Sequence, residues 1–90
     1  MILRPLTEGA VSGSGAVTCS TRIFGGALIS ANGEDAVTVT VRKTWPTGPA
    51  IFSITTKQPG PVFAPIEGAE DLCYSITGTD GKAQLFEWVE

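Results

Sequence analysis

The sequence predicts a small all-β protein, an antiparallel β-sandwich or barrel with an N-terminal arm. Three observations point there. Apolar and polar residues alternate with period two along most of the chain, which places successive side chains on opposite faces of a strand. The alternating segments are rich in Val, Ile and Thr and recur about every ten residues, with Gly, Pro, Asn and Asp between them. The one helical alternative, APIEGAEDL at residues 64–72, contains Pro65 and Gly68 and is too short.

Taken in order, the first twenty residues stand apart. Met1–Leu6 forms an apolar hook, EGAVSGSGA (8–16) is a Gly/Ser-rich flexible linker, and VTCST (17–21) is a candidate first strand. This divides the chain into an arm and linker, 1–20, and a β-sandwich domain, 21–90. Two readings of the hook stay open: an edge strand on its own domain, or an arm that reaches a neighbouring subunit. RIFGGALIS (22–30) is a strand, and Gly25-Gly26 inside it signals a bulge or a close backbone approach. Asn32-Gly33 then suits a tight type I′ turn, so this strand and DAVTVTVR (35–42) are expected to form an antiparallel hairpin. In the second strand Val37, Val39 and Val41 face one way, and Thr38, Thr40 and Arg42 the other.

AIFSITT (50–56) is a further strand between two proline-rich connections, TWPTGP (44–49) and KQPGPVFAP (57–65). DLCYSIT (71–77) places Leu72, Tyr74 and Ile76 on one face and Cys73, Ser75 and Thr77 on the other. GTDG (78–81) turns the chain, and KAQLFEWVE (82–90) runs back as the last strand. Its two faces are both partly apolar: Ala83, Leu85 and Val89 share one with Glu87, while Phe86 and Trp88 take the other. One face packs on the core and the other requires a second cover.

Composition narrows the function. A chain of 90 residues makes one domain with a thin core, for which oligomerisation is a common supplement. Charged residues are only 17%, with seventeen Ser and Thr and eleven Gly in their place, as suits exposed strand faces or surface covered by a partner. The net charge of −3 and the scattered basic residues lack the phosphate-tracking stripe of a nucleic-acid binder. No apolar run approaches the roughly 18 residues that cross a bilayer, and the start of the chain is unlike a secretory signal. The expected site of synthesis is therefore a reducing cytoplasm. Cys19 and Cys73 match no metal or redox spacing and are expected as free thiols, with a disulfide open only where strands bring them together.

Histidine is absent, which removes the commonest general base and the commonest metal ligand. The carboxylates Glu34, Asp35, Glu67, Glu70 and Asp71 fall in turns, where a solvated charge is the simplest role. Two carboxylates such as Glu67 and Asp71 could in principle hydrolyse a glycoside, but their place in turns does not favour it, and a calcium loop there lacks the ligand–glycine spacing. SGSG has no helix after it to receive a phosphate. The expectation is a protein that is not an enzyme and uses no cofactor or metal. Binding by shape remains. The two proline-rich connections hold five of the six prolines together with Trp45 and Phe63. Proline stiffens a loop, and Trp is enriched where a rigid ring fills a partner's pocket. Capping of the chain's own core is the competing role for Trp45. The candidate interface residues are Ile2, Leu3, Leu6, Trp45, Pro46, Phe86 and Trp88.

The strand-and-turn grammar of Ala36–Val41, Tyr74–Thr79 and Phe86–Trp88 resembles that of small β-sandwich structural proteins of tailed bacteriophages, over roughly residues 21–90. The resemblance implies a virion structural protein, foremost a capsid decoration (cement) protein that stabilises the head by protein–protein contacts. It implies the major capsid protein or another virion protein as partner, and a homo-oligomer, with a trimer favoured. The alternative is a fibre or tail binding module that recognises a host surface or a carbohydrate, with Trp45 or Trp88 as a stacking platform. Near Trp45, Thr44, Thr47, Arg42 and Lys43 are the only polar neighbours in sequence, a poor set for holding a sugar.

Overall fold

In the computed structural model, residues 2–44 and 47–90 are described. Eight strands follow one another: β1 (Ile2–Pro5), β2 (Gly13–Thr18), β3 (Ile23–Ser30), β4 (Val37–Lys43), β5 (Ala50–Thr56), β6 (Gly60–Glu67), β7 (Asp71–Thr77) and β8 (Lys82–Val89). They form two four-stranded sheets of order β1-β8-β3-β6 (sheet A) and β2-β7-β4-β5 (sheet B), and every pairing is antiparallel. The expected all-β sandwich is what the chain forms.

The pairing has a simple logic. β4 pairs with β5, β3 with β6, β2 with β7 and β1 with β8. The chain is thus one long two-ply hairpin, with β4 and β5 at its closed end, rolled so that β3 also meets β8 and β4 also meets β7. This is the strand order of a jelly roll. Only β4 and β5 are neighbours both in sequence and in a sheet.

That logic corrects the expected hairpin between 22–30 and 35–42, because β3 and β4 lie in different sheets. The chain does turn there, but not in the type I′ form expected. Gly33 has φ +88° while Asn32 lacks the positive φ such a turn needs, and instead Oδ1 of Asn32 accepts hydrogen bonds from the Glu34 and Asp35 N–H groups, both at 2.8 Å. The turn carries the chain across to the opposite sheet instead of back along the same one. β8 likewise leaves β7 for sheet A after residues 78–81. Turn chemistry is local, whereas the partner of a strand is settled by which apolar faces close on each other.

Two further expectations change. Residues 57–65 are not wholly a connection: Gly60–Glu67 is β6, at the edge of sheet A. Its Pro61 and Pro65 are tolerated there because an edge strand leaves one row of backbone groups unpaired. Within the segment expected as arm and linker, Ile2–Pro5 takes the edge-strand reading of the hook, on β8, and Gly13–Thr18 forms an edge strand of the other sheet, on β7. Gly13, Ser14 and Gly15 have weak strand propensity, but β7 offers a preformed ladder against which they pair with Ile76, Ser75 and Tyr74.

The core lies between the sheets. Sheet A contributes Phe24, Ala27, Ile29, Ala83 and Leu85, and sheet B contributes Val37, Val39, Val41, Leu72 and Ile76, all nearly or wholly inaccessible to water. Phe24 meets Phe52 of β5 edge to face, with centroids 5.4 Å apart. The inward sets expected for β4 and β7 are those observed, each fully covered large apolar side chain contributing about 1.5–3 kcal/mol. In β3, Gly25 forms a bulge opposite β8, and the register against both neighbours shifts between Phe24 and Gly26. Gly26 has φ +111°, and a Cβ there would lie 2.1 Å from the Val62 carbonyl oxygen, so only glycine fits.

Candidate interaction face

The outer face of sheet A is assembled row by row from the register. Phe63, Gly26, Phe86 and Pro5 stand opposite one another across β6, β3, β8 and β1. Pro61 and Leu28 extend the face on one side, Trp88 and Leu3 on the other. Because Gly26 carries no side chain, the rings of Phe63 and Phe86 meet across it, edge to face, with centroids 5.5 Å apart. Phe63 and Leu28 are each 42% exposed and Ile2 67%, so apolar surface of this sheet faces water. Leu3 lies over the Gly25 bulge, where a Cβ would come within 2.6 Å of its Cδ2. The Trp88 Nε1 is buried and has no hydrogen-bond partner among the described residues, a deficit that typically costs about 1–3 kcal/mol.

Of the candidate interface residues, Leu3, Phe86 and Trp88 therefore come together on this face. Ile2 lies at its edge, on the opposite side of β1 from Leu3 by strand alternation. Leu6 does not join them: it is half-buried against the core. Trp45 and Pro46 lie outside the described residues. Leu28, Pro61 and Phe63 were missed, since 57–65 read as a connection and no outward face was assigned to the strand at 22–30. The signal for Phe63 was its alternation with Pro61 and Pro65, which proline obscured.

Sheet B presents a different outer face. Thr55, Thr38 and Thr77 form one row, Ser53, Thr40, Ser75 and Ser14 the next, and Ala50, Arg42, Cys73 and Ala16 a third. Hydroxyls bond across strands, Thr38 to Thr55 at 2.9 Å and Thr40 to Ser53 at 3.4 Å. Arg42 donates to the Gly48 carbonyl at 3.0 Å. A shallow hollow of about 500 Å³ lies over Ser14, Ala16, Thr40, Arg42, Cys73 and Ser75.

At one end of the sandwich sits Glu87, 4% exposed on the inward side of β8. Its Oε2 accepts from Arg4 Nε at 3.0 Å and lies 2.9 Å from Arg4 Nη2. Its Oε1 accepts from the Thr21 N–H at 3.2 Å, the Thr21 hydroxyl at 3.1 Å and the Ser20 hydroxyl at 3.3 Å. Burial pushes this carboxyl up, but the Thr21 amide, the Arg4 guanidinium and the Thr21 hydroxyl together outweigh it and hold the group below the ordinary glutamate value. Burial also pushes the adjacent Cys19 thiol up, and the Glu87 charge adds to that. One carboxylate thus ties β1, the β2–β3 connection and β8 together. Both cysteines are free, Cys19 buried and Cys73 half-buried.

The carboxylates weighed for catalysis or calcium do not assemble. Glu67 ends β6, Asp71 opens β7, both exposed, and Glu70 pairs with Arg22 at 3.5 Å. Among the described residues no group of three or more His, Cys, Asp or Glu side chains is placed to hold a metal ion. Comparison with known protein families, curated proteins and solved structures finds no match to the chain.

Proposed function

We propose that this chain is a structural component of a tailed-bacteriophage virion, a capsid decoration protein that acts without catalysis by covering and bracing a protein shell. The observation that carries the reading is the outer face of sheet A, where Leu3, Leu28, Phe63, Phe86 and Trp88 meet water on a rigid strand surface. Exposed contiguous apolar surface marks interaction sites, and rings held by neighbouring strands lose little entropy on contact. The jelly-roll strand order adds support by analogy, since viral capsid domains use it, as do lectins and cupins. The partner is the major capsid protein or another virion protein, and the assembly on the shell is a homo-oligomer, with a trimer favoured by the small core.

Co-sedimentation with assembled shells of a tailed-phage major capsid protein, taken from the same phage as this chain, tests the reading. Wild type is expected to sediment with the shells, and Phe63→Ser with Phe86→Ser to stay in solution while remaining folded by circular dichroism. Equal sedimentation of the folded double variant would overturn the role of this face. A fibre or tail module is the second reading, favoured by the hydroxyl-lined hollow of sheet B. Glycan binding abolished by Arg42→Ala and Ser75→Val, with shell binding absent, would select it.

A further inference from the structure

We propose that the edge of β8 is a sequence-selective strand-docking groove, and that it takes the segment Ile2–Pro5 from a second copy of the chain, so that two chains exchange their first strands. The groove recognises side chains as well as backbone. Leu3 fills the notch above Gly25, where any Cβ would displace it. Arg4, one residue on and pointing the other way, reaches the buried carboxylate of Glu87. The occupant and the groove are thus complementary in shape at one position and in charge at the next.

The chain also contains a pivot. After Pro5 the ladder continues with the Leu6 N–H to the Leu85 carbonyl at 2.7 Å and the Leu85 N–H to the Thr7 hydroxyl at 3.3 Å. It resumes only at Val11, which exchanges two 2.9 Å bonds with Ala83. Residues 8–10 lie between these two anchors, and a Cβ at Gly9 would meet nothing within 4 Å. Rotation there carries residues 2–7 to a neighbour and leaves Val11, β2 and the core in place. Exchange re-creates the same contacts between chains, so the balance is set by concentration. The strand's own groove sees it at an effective concentration of millimolar order, and copies at that density compete.

Two chains in a Cys73→Ser background provide the test, each keeping the buried Cys19, one with Ile2→Cys added and the other with Val89→Cys. These positions face each other in the β1–β8 register. Neither chain can close this bridge alone. Mixed at a concentration of about 1 mM, where cis and trans docking compete, and gently oxidised, they are expected to give the mixed disulfide dimer in several-fold excess over both homodimers. Gly25→Ala in the Val89→Cys chain is expected to remove that excess. A mixed dimer no more abundant than random collision gives overturns the proposal. Should Val89→Cys not fold, equal parts of ¹³C-labelled and unlabelled wild type answer the same question. Exchange places Leu3 methyls of one chain against Gly25 α-protons of the other in an isotope-filtered NOE spectrum, and contacts confined to single chains refute it. The outcome is separate from shell binding, since exchange without attachment and attachment without exchange are distinguishable results.

Discussion

The two sheets share one core and one strand logic, yet they treat water in opposite ways. Sheet B turns rows of Thr and Ser outward, and these bond across β4 and β5. Sheet A turns out Phe63, Phe86, Leu28 and Trp88, with a side-chain-free Gly26 that lets two rings touch. A stable fold does not need this asymmetry, because hydroxyl rows satisfy a solvated sheet face equally well. The apolar cover on sheet A is therefore not something the fold requires, and the proposed interaction role is the account offered for it. The backbone of sheet A is also the more constrained, with a bulge at Gly25 and the close approach at Gly26.

The largest expected difference between the sheets comes from adding a single methyl group to each. Gly26→Ala forces a Cβ to 2.1 Å from a backbone oxygen at positive φ, and neither strand can give way without losing the β3–β6 register. It is expected to cost about 4 kcal/mol or more, in the rare tail of single substitutions, and to leave little folded protein by circular dichroism. Gly15→Ala in sheet B meets the Tyr74 hydroxyl at 2.5 Å, the far end of a side chain that can move. Its cost is expected at about 1–3 kcal/mol, as for modest overpacking. Similar melting temperatures for the two variants would show that sheet A is not the more tightly constrained.

Next in size is Glu87→Gln. It removes the charge that Arg4 pairs with while keeping the shape, and should cost about 1.5–3 kcal/mol, the range for hydrogen bonds to charged groups. Because the folded carboxyl titrates below its ordinary value of 4.5, the unfolded chain takes up the proton first as pH falls. The stability from Glu87 is then fully present above that value and lost as pH drops through the folded one. Denaturant melts between pH 7 and pH 3 should show an acid-side decline in wild type that is shallower in Glu87→Gln. Parallel declines would mean that other carboxylates dominate.

How much of this was legible in the sequence depends on distance along the chain. Alternation identified the inward faces of β4 and β7 correctly, since Val37, Val39, Val41, Leu72 and Ile76 needed no knowledge of partners. Alternation likewise put Phe86 and Trp88 on one face of β8, but left open whether that face or the one holding Leu85 and Val89 turns outward. The order of strands was not legible. Asn32-Gly33 predicts a turn but carries no information on which sheet receives the next strand. β6 was hidden because Pro61 and Pro65 argue against a central strand and are silent about an edge. β1 was one of the two open readings of the hook, whereas β2 was hidden because Gly13, Ser14 and Gly15 acquire strand structure only from β7. Glu87 looked like a misplaced charge on an apolar face, and its partners Arg4 and Thr21 are 83 and 66 residues away. Leu28 and Phe63 needed the register of β3 against β6 before they joined Phe86.

The asymmetry can be weakened from sheet A. Phe63→Thr removes a 42% exposed ring and its edge contact with Phe86. The aromatic pair beyond its buried area is worth about 0.5–1.5 kcal/mol, so stability should fall by about that much. Binding of an apolar fluorescent dye should fall more clearly, along with self-association seen by light scattering. Unchanged dye binding would place the dye's site elsewhere.

It can also be weakened from sheet B, with the smallest expected cost. Thr38→Val and Thr40→Val delete the hydroxyl bonds to Thr55 and Ser53 at exposed positions. Valine suits a strand at least as well as threonine, and an exposed hydrogen bond contributes little net stability. Each substitution should shift stability by no more than about 0.5 kcal/mol. Their effect should show in surface behaviour, since the double variant lays an apolar strip along the centre of the hydroxyl rows. Dye binding and light scattering should rise toward what sheet A confers, with the melting temperature nearly fixed. A double variant that stays as soluble and dye-free as wild type would show that apolar side chains alone do not make a sticky face. The ring pair across Gly26, which sheet B has no means to copy, would then be the feature that matters.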